Sequence, residues 1–170
     1  LTLVAKRRAI EVVDKQWGND LIASWNLHNW IDLPVRVGEK IAPLMGAATG
    51  QTICCDSVSV NLFKLLTCAL NINNGRQSIL STTDNFPTDL YIAEGVGRLL
   101  NNDRCHLELV ERHELGVRLE EKPAVLLLTH TDFRTGATFD IEELTKQAHA
   151  YGTLVIWDLS HSVGVLPLEL

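Results

Sequence analysis

The sequence predicts an α/β fold: a mainly parallel sheet with helices on both faces. Short apolar runs alternate with longer helix-forming stretches along the 170 residues, the order from which strand–helix–strand units are built. Two of the runs, Ala124-Val125-Leu126-Leu127-Leu128 and Thr153-Leu154-Val155-Ile156-Trp157, read as strands buried in a sheet interior. Turn and cap residues stand between the runs, where such units change direction.

Helices are expected over 4–17 and 34–45, followed by a strand over 52–55 in which Cys54 and Cys55 read as small buried hydrophobes. A helix over 57–72 comes next and ends at the turn Asn73-Asn74-Gly75. A strand over 77–81 leads to a helix over 87–100, opened by Pro87, whose fixed φ suits a first helical position. Strands over 106–110 and 125–129 follow. A helix over 141–151 is capped by Asp140 ahead of Glu142 and Glu143 and closed by Gly152, and a strand over 153–157 ends the series. No internal repeat or Pro/Gly/Ser-rich linker interrupts the chain, so residues 1–170 read as one domain.

Composition narrows the function classes. At 46% apolar and 21% charged the chain is ordinary for a globular protein. Its net charge of -6 and its densest basic cluster, Lys6-Arg7-Arg8, disfavour nucleic acid as a partner. No apolar run approaches the roughly 18 residues of a membrane span. Cys54, Cys55, Cys68 and Cys105 lack C-x-x-C spacing and read as reduced thiols of a cytoplasmic protein. There is no H-E-x-x-H, no close Cys/His ligand set and no G-x-S-x-G elbow, so no metal site or serine nucleophile is expected. Gly95-Val96-Gly97 lacks the third glycine of a nicotinamide-binding loop.

The richest site pattern is Trp157-Asp158-Leu159-Ser160-His161, where an apolar strand delivers a carboxylate and an imidazole at its carboxyl end. Open α/β sheets bind ligands there. An Asp paired with a ring nitrogen would keep pyridoxal phosphate protonated as an electron sink; the plainer alternative is an Asp that caps the following turn. Ser57-Val58-Ser59, where a strand is expected to give way to a helix, offers amides to a phosphate or simply caps the helix. On their own, Phe86 reads as core and Asp89 as a first-turn charge. Thr129 should sit beside Asp158 if their strands are neighbours. His130, pointing to the opposite face from Thr129, reads as structural.

Taken together and in order, Cys55-Asp56-Ser57-Val58-Ser59, Asp84-Asn85-Phe86-Pro87-Thr88-Asp89, Leu128-Thr129-His130 and Trp157 to His161 resemble the kynureninases, from about Val13 onward. The resemblance implies the large domain of a pyridoxal-phosphate enzyme of the aspartate-aminotransferase fold type. It further implies a homodimer that hydrolyses L-kynurenine to anthranilate and L-alanine in tryptophan catabolism. It assigns cofactor contacts to Val58 and Ser59 (phosphate), Phe86 (stacked on the ring), Pro87, Thr88, Asp89, Thr129, Asp158 (ring nitrogen) and His161. Asp132 stands where an Asn is common in bacterial relatives. The region of Trp25, His28 and Trp30 would approach the substrate's aromatic end, and interface packing accounts for it equally well.

None of Lys6, Lys15, Lys40, Lys64, Lys122 and Lys146 follows Asp158. The resemblance puts the Schiff-base lysine, the substrate-carboxylate arginine and a smaller C-terminal domain past Leu170. The 170 residues are therefore expected to be part of a large domain, inactive alone, with no catalytic residue of their own. Two alternatives remain at this point: another enzyme of the same fold, such as a cysteine desulfurase or aminotransferase, and a non-enzymatic descendant.

Overall fold

The computed structural model describes residues 1–100 and 105–169. Two compact units emerge, one built on Leu1–Cys55 and one on Asp56–Leu168.

In the first unit, helix α1 (Leu3–Glu11) begins at Thr2, whose Oγ1 accepts from the Ala5 amide at 3.3 Å, and continues as a π-helical stretch over Val12–Trp17. Short helices α2 (Gly18–Asp20) and α3 (Ser24–Leu27) flank a 3-10 turn at Leu21–Ala23, and α4 (Leu33–Ile41) follows with Pro34 in its first turn. Gln16 ties this region together. Its side-chain oxygen accepts from Trp30 Nε1 at 2.9 Å, and its backbone carbonyl accepts from the buried Ser24 hydroxyl at 3.0 Å.

The strand expected over 52–55 is not present. That segment crosses α4 so closely that a Cβ on Gly38 would lie 2.1 Å from the Thr52 carbonyl oxygen. The Cys54 amide donates to the Pro34 carbonyl at 3.0 Å, so a helix-turn carbonyl takes the place of a neighbouring strand. Cys54 and Cys55 are exposed there, contrary to the buried reading.

In the second unit, α5 (Val58–Ile72) is capped by the Ser57 hydroxyl and closes at Asn73. Strand β1 (Ser78–Thr82), helix α6 (Pro87–Leu99), β2 (His106–Val110), α7 (Leu115–Leu119), β3 (Val125–Thr129), α8 (Ile141–Ala150) and β4 (Leu154–Asp158) complete it. The strands lie in the order β2-β1-β3-β4, all parallel. Alternate residues divide between two cores, as the period of two in a strand requires. Ile79, Val125, Leu127, Leu154 and Ile156 pack under α5 and α6, through Leu62, Leu66, Ala93 and Val96. Leu80, Leu126, Leu128, Val155 and Trp157 face α7 and α8. Every residue of β3 is buried, which explains its unbroken apolar run.

Local signals act as expected at three boundaries. Asp140 Oδ1 accepts from the Glu143 amide at 2.9 Å, and Gly152 and Gly75 take φ of 71° and 102°, conformations open to glycine. The short helix α7 is an addition to the sequence expectation. A capping box, with Glu111 and Glu114 bonding each other's backbone amides, starts the turn that leads into it, and Leu115 and Leu119 are buried.

Candidate active site at the carboxyl edge of the sheet

Thr129 and Asp158 are register partners at the carboxyl ends of β3 and β4. By strand alternation both fall on the face covered by α5 and α6. Asp89, in the first turn of α6, reaches the same point: its Oδ2 accepts from the Thr129 hydroxyl at 3.3 Å. Asp89 is 1% and Asp158 8% exposed. The two carboxyl groups share a hydrogen bond, and Asp89 is pushed up to about 7 by burial first, then by the Asp158 charge and that hydrogen bond. Two adjacent buried carboxylates cannot readily both ionise, which is why Asp89 takes up a proton more readily than a free carboxyl does.

No Lys or Arg among the described residues ion-pairs with either carboxylate. A buried negative charge without a cation is costly. The pocket edge is thus suited to a small cation or a protonated ring nitrogen.

Asn85 supports this corner from behind. Its Oδ1 accepts from the Thr129 amide at 2.7 Å, while its buried Nδ2 has no acceptor among the described residues. In the sequence Asn85 belongs to the segment that carries the resemblance, with no role of its own assigned to it.

Phe86 caps α6 in an extended conformation, φ -62° and ψ 127°, with Pro87 and Thr88 exposed in the first turn. Its ring centroid lies 5.7 Å from that of His161 and 5.1 Å, edge-on, from that of Phe133. His161 is solvent-exposed and stacks on Phe133 at 6.2 Å. Phe86 is therefore half-buried in a cluster of three rings rather than a core residue. Phe133 is the member that sequence reasoning missed.

Val58 and Ser59 open the 15-residue helix α5. The other end of that helix is at the amino edge of the sheet: Asn73 Nδ2 donates to the carbonyls of Ala124 at 2.8 Å and Gly152 at 3.0 Å, which precede β3 and β4. The first turn of α5 consequently lies toward the carboxyl edge, on the face that carries Asp89, Thr129 and Asp158. First-turn amides have no acceptor within their helix and sit at the positive end of its dipole. Lys64, about two turns into this helix, is ion-paired with Asp56.

His130 is structural, as its strand position implied. Its Nε2 donates to the Phe139 carbonyl at 3.1 Å, and Nδ1 lies 2.7 Å from the Ser162 hydroxyl oxygen. Burial pushes its pKa down. Asp132 closes the loop that carries Phe133. Its Oδ1 accepts from the amides of Arg134 at 2.7 Å and Thr135 at 3.1 Å, bonds that hold its carboxyl below the ordinary range. Arg112 anchors that loop from the far side, 2.6 Å from Asp84 and with its guanidinium 4.2 Å over the Phe139 ring.

In the first unit, Trp25, His28 and Trp30 line a cavity of about 580 Å³ with Leu33, Pro34 and Val37. The tryptophan rings meet edge to face at 6.3 Å, and His28 Nε2 lies 2.7 Å from Asp20 Oδ2.

The donor set fits pyridoxal phosphate. An uncompensated acid pair suits a protonated pyridine nitrogen, the rings at Phe86 and His161 suit a flat ring, and the α5 amides suit a phosphate.

No family model matches the chain. It is 42% identical to the kynureninase of Pseudomonas fluorescens over 173 residues, covering 99% of this chain and 41% of that protein. To the kynureninase of Burkholderia pseudomallei it is 41% identical over 171 residues, covering 98% of this chain and 41% of the relative. Among solved structures, a NifS-like protein superposes with a TM-score of 0.76 at 15% identity, over 100% of this chain and 48% of its own. A cysteine desulfurase of Thermococcus onnurineus superposes with a TM-score of 0.60 at 16% identity, over 89% of this chain and 40% of its own. By sequence along nearly its whole length the chain is a relative of the kynureninases, spanning about 41% of such a protein, and its fold is that of the fold-type I pyridoxal-phosphate enzymes.

Proposed function

We propose that the complete protein is a kynureninase, a pyridoxal-phosphate-dependent hydrolase that cleaves L-kynurenine to anthranilate and L-alanine. The observation that carries the reading is the buried pair of Asp89 and Asp158, without a cation, at the carboxyl edge of a parallel sheet. The 42% identity to a kynureninase supports the choice of substrate.

Bound at this edge, the cofactor supplies an electron sink for carbon–carbon cleavage. Asp158 would receive the ring N–H, with Asp89 packed beside it in the same buried corner. Phe86 covers a face of the ring, with its backbone fixed by Pro87 and Thr88 beside it in the first turn. Val58 and Ser59 present amides to the phosphate. Thr129 and His161 complete the wall, Thr129 through the hydroxyl that already bonds Asp89. No covalent role falls to Lys64, which pairs with Asp56; the Schiff-base lysine and the substrate-carboxylate arginine are proposed to lie beyond Leu170. The proposal extends to residues 1–170 as part of one cofactor-binding large domain, and to a cytoplasmic homodimer.

The test is anthranilate release from L-kynurenine by the complete protein supplied with pyridoxal phosphate. Release at enzymatic rates is expected. Cofactor binding without release would favour a desulfurase- or aminotransferase-like activity, and neither would point to a non-enzymatic descendant.

A further inference from the structure

Two donors to the Asp158 side chain come from one residue and reach one oxygen. Ser160 donates to Oδ1 from its backbone N–H at 2.7 Å and from its hydroxyl at 2.5 Å. Asp89 has weaker support: the Thr129 hydroxyl stands 3.3 Å from its Oδ2. A hydrogen bond donated to a carboxylate favours its charged form. Both carboxyl groups are at most 8% exposed, so their donors and not their burial distinguish them.

We propose that Ser160 is a positioning residue: by holding Oδ1 it fixes the Asp158 carboxylate in place and leaves Oδ2 for the ring nitrogen of the cofactor. The inference rests on the cofactor reading above. It assigns a task to a side chain that is itself solvent-exposed and that acts only through Asp158. The amide bond alone would form an ordinary turn with any residue at this position; the hydroxyl is what Ser160 adds. The other titratable groups at this edge are Asp89 on α6 and His161 in the turn after β4. His130 is tied to Ser162 and Phe139, and Asp84, Arg112, Asp132 and Arg134 bond one another.

The experiment titrates pyridoxal 5'-phosphate into the cofactor-free complete protein across pH, reading the visible absorbance of the bound form, for the parent, Ser160→Ala, Ser160→Thr and Ser160→Val. Without the hydroxyl, one of the two bonds on Oδ1 is lost and the Asp158 carboxylate is held less firmly toward the ring nitrogen. Binding by Ser160→Ala should be about tenfold weaker at pH 7, while Ser160→Thr follows the parent. An unchanged affinity in Ser160→Ala, with the parent binding normally, overturns the inference and leaves the proposed function standing. Failure of the parent to bind overturns the proposed function and the inference with it. If Ser160→Ala does not fold, the near-isosteric Thr and Val variants make the same comparison, and equal binding by those two overturns the inference.

Discussion

Replacing Asp89 with Asn should stabilise the cofactor-free protein at neutral pH. The Asp89 carboxyl ordinarily titrates at 3.8 and is pushed up to about 7 in the fold. Below about pH 4 the folded and unfolded chains both carry this proton. Between about 4 and 7 only the folded chain holds it, so unfolding releases a proton and stability falls as pH rises; above about 7 the loss is complete. At about 1.4 kcal/mol per pH unit, a shift of roughly three units corresponds to at most about 4 kcal/mol. An amide at position 89 donates to Asp158 as the protonated acid does, but does not titrate. The variant should match the parent near pH 4.5 and exceed it at pH 8 by up to about 4 kcal/mol. Denaturant unfolding of both forms at pH 4.5, 6 and 8 measures the difference. The comparison isolates Asp89 because His130, whose pKa is pushed down by burial, contributes equally to both with the opposite slope. A variant that is less stable than the parent at pH 8, or a difference that does not change with pH, would refute the shared-proton account.

In the complete protein, Asp158→Asn should still bind pyridoxal phosphate through the α5 amides but lose turnover by on the order of a hundredfold, since the ring nitrogen would face no charge; near-normal kynurenine cleavage would exclude the assigned role. Leu127→Ala, at a fully buried position of the central strand β3, should cost about 2–5 kcal/mol in denaturant unfolding. Gly38→Ala would put a methyl group 2.1 Å from the Thr52 carbonyl oxygen, and the first unit should lose about 1–3 kcal/mol, visible as faster hydrogen exchange at the Cys54 amide.

The parallel sheet was legible because its signals are local and redundant. An apolar run such as Val125 to Leu128 admits burial on both faces and little else, and Asp140, Gly152 and Gly75 mark boundaries by backbone chemistry that needs no partner. The segment 52–55 failed on the same reasoning. Its apolar residues read as a strand, but a strand needs a neighbour, and the carbonyl that satisfies Cys54 belongs to a helix turn some twenty residues earlier in the chain. Helix α7 was missed although Glu111, Glu114, Leu115 and Leu119 carry its pattern, because the helix is only 5 residues long and its apolar pair is brief.

The candidate site divides in the same way. By itself the sequence determined that a carboxylate ends an apolar strand at Asp158, that amides open a helix at Val58 and Ser59, and that Pro87 holds Phe86 at a helix start, since each depends on near neighbours in the chain; that this strand is a half-buried edge strand, and not an interior one as its apolar run suggested, was not legible there. Only the tertiary structure decided that Asp89 lies against Asp158, that Phe133 joins Phe86 and His161, and that Asn85 reaches the Thr129 amide. Those pairings bring together residues separated by tens of positions, and a proton shared between two carboxyl groups is a property of their distance and burial that neither residue carries alone.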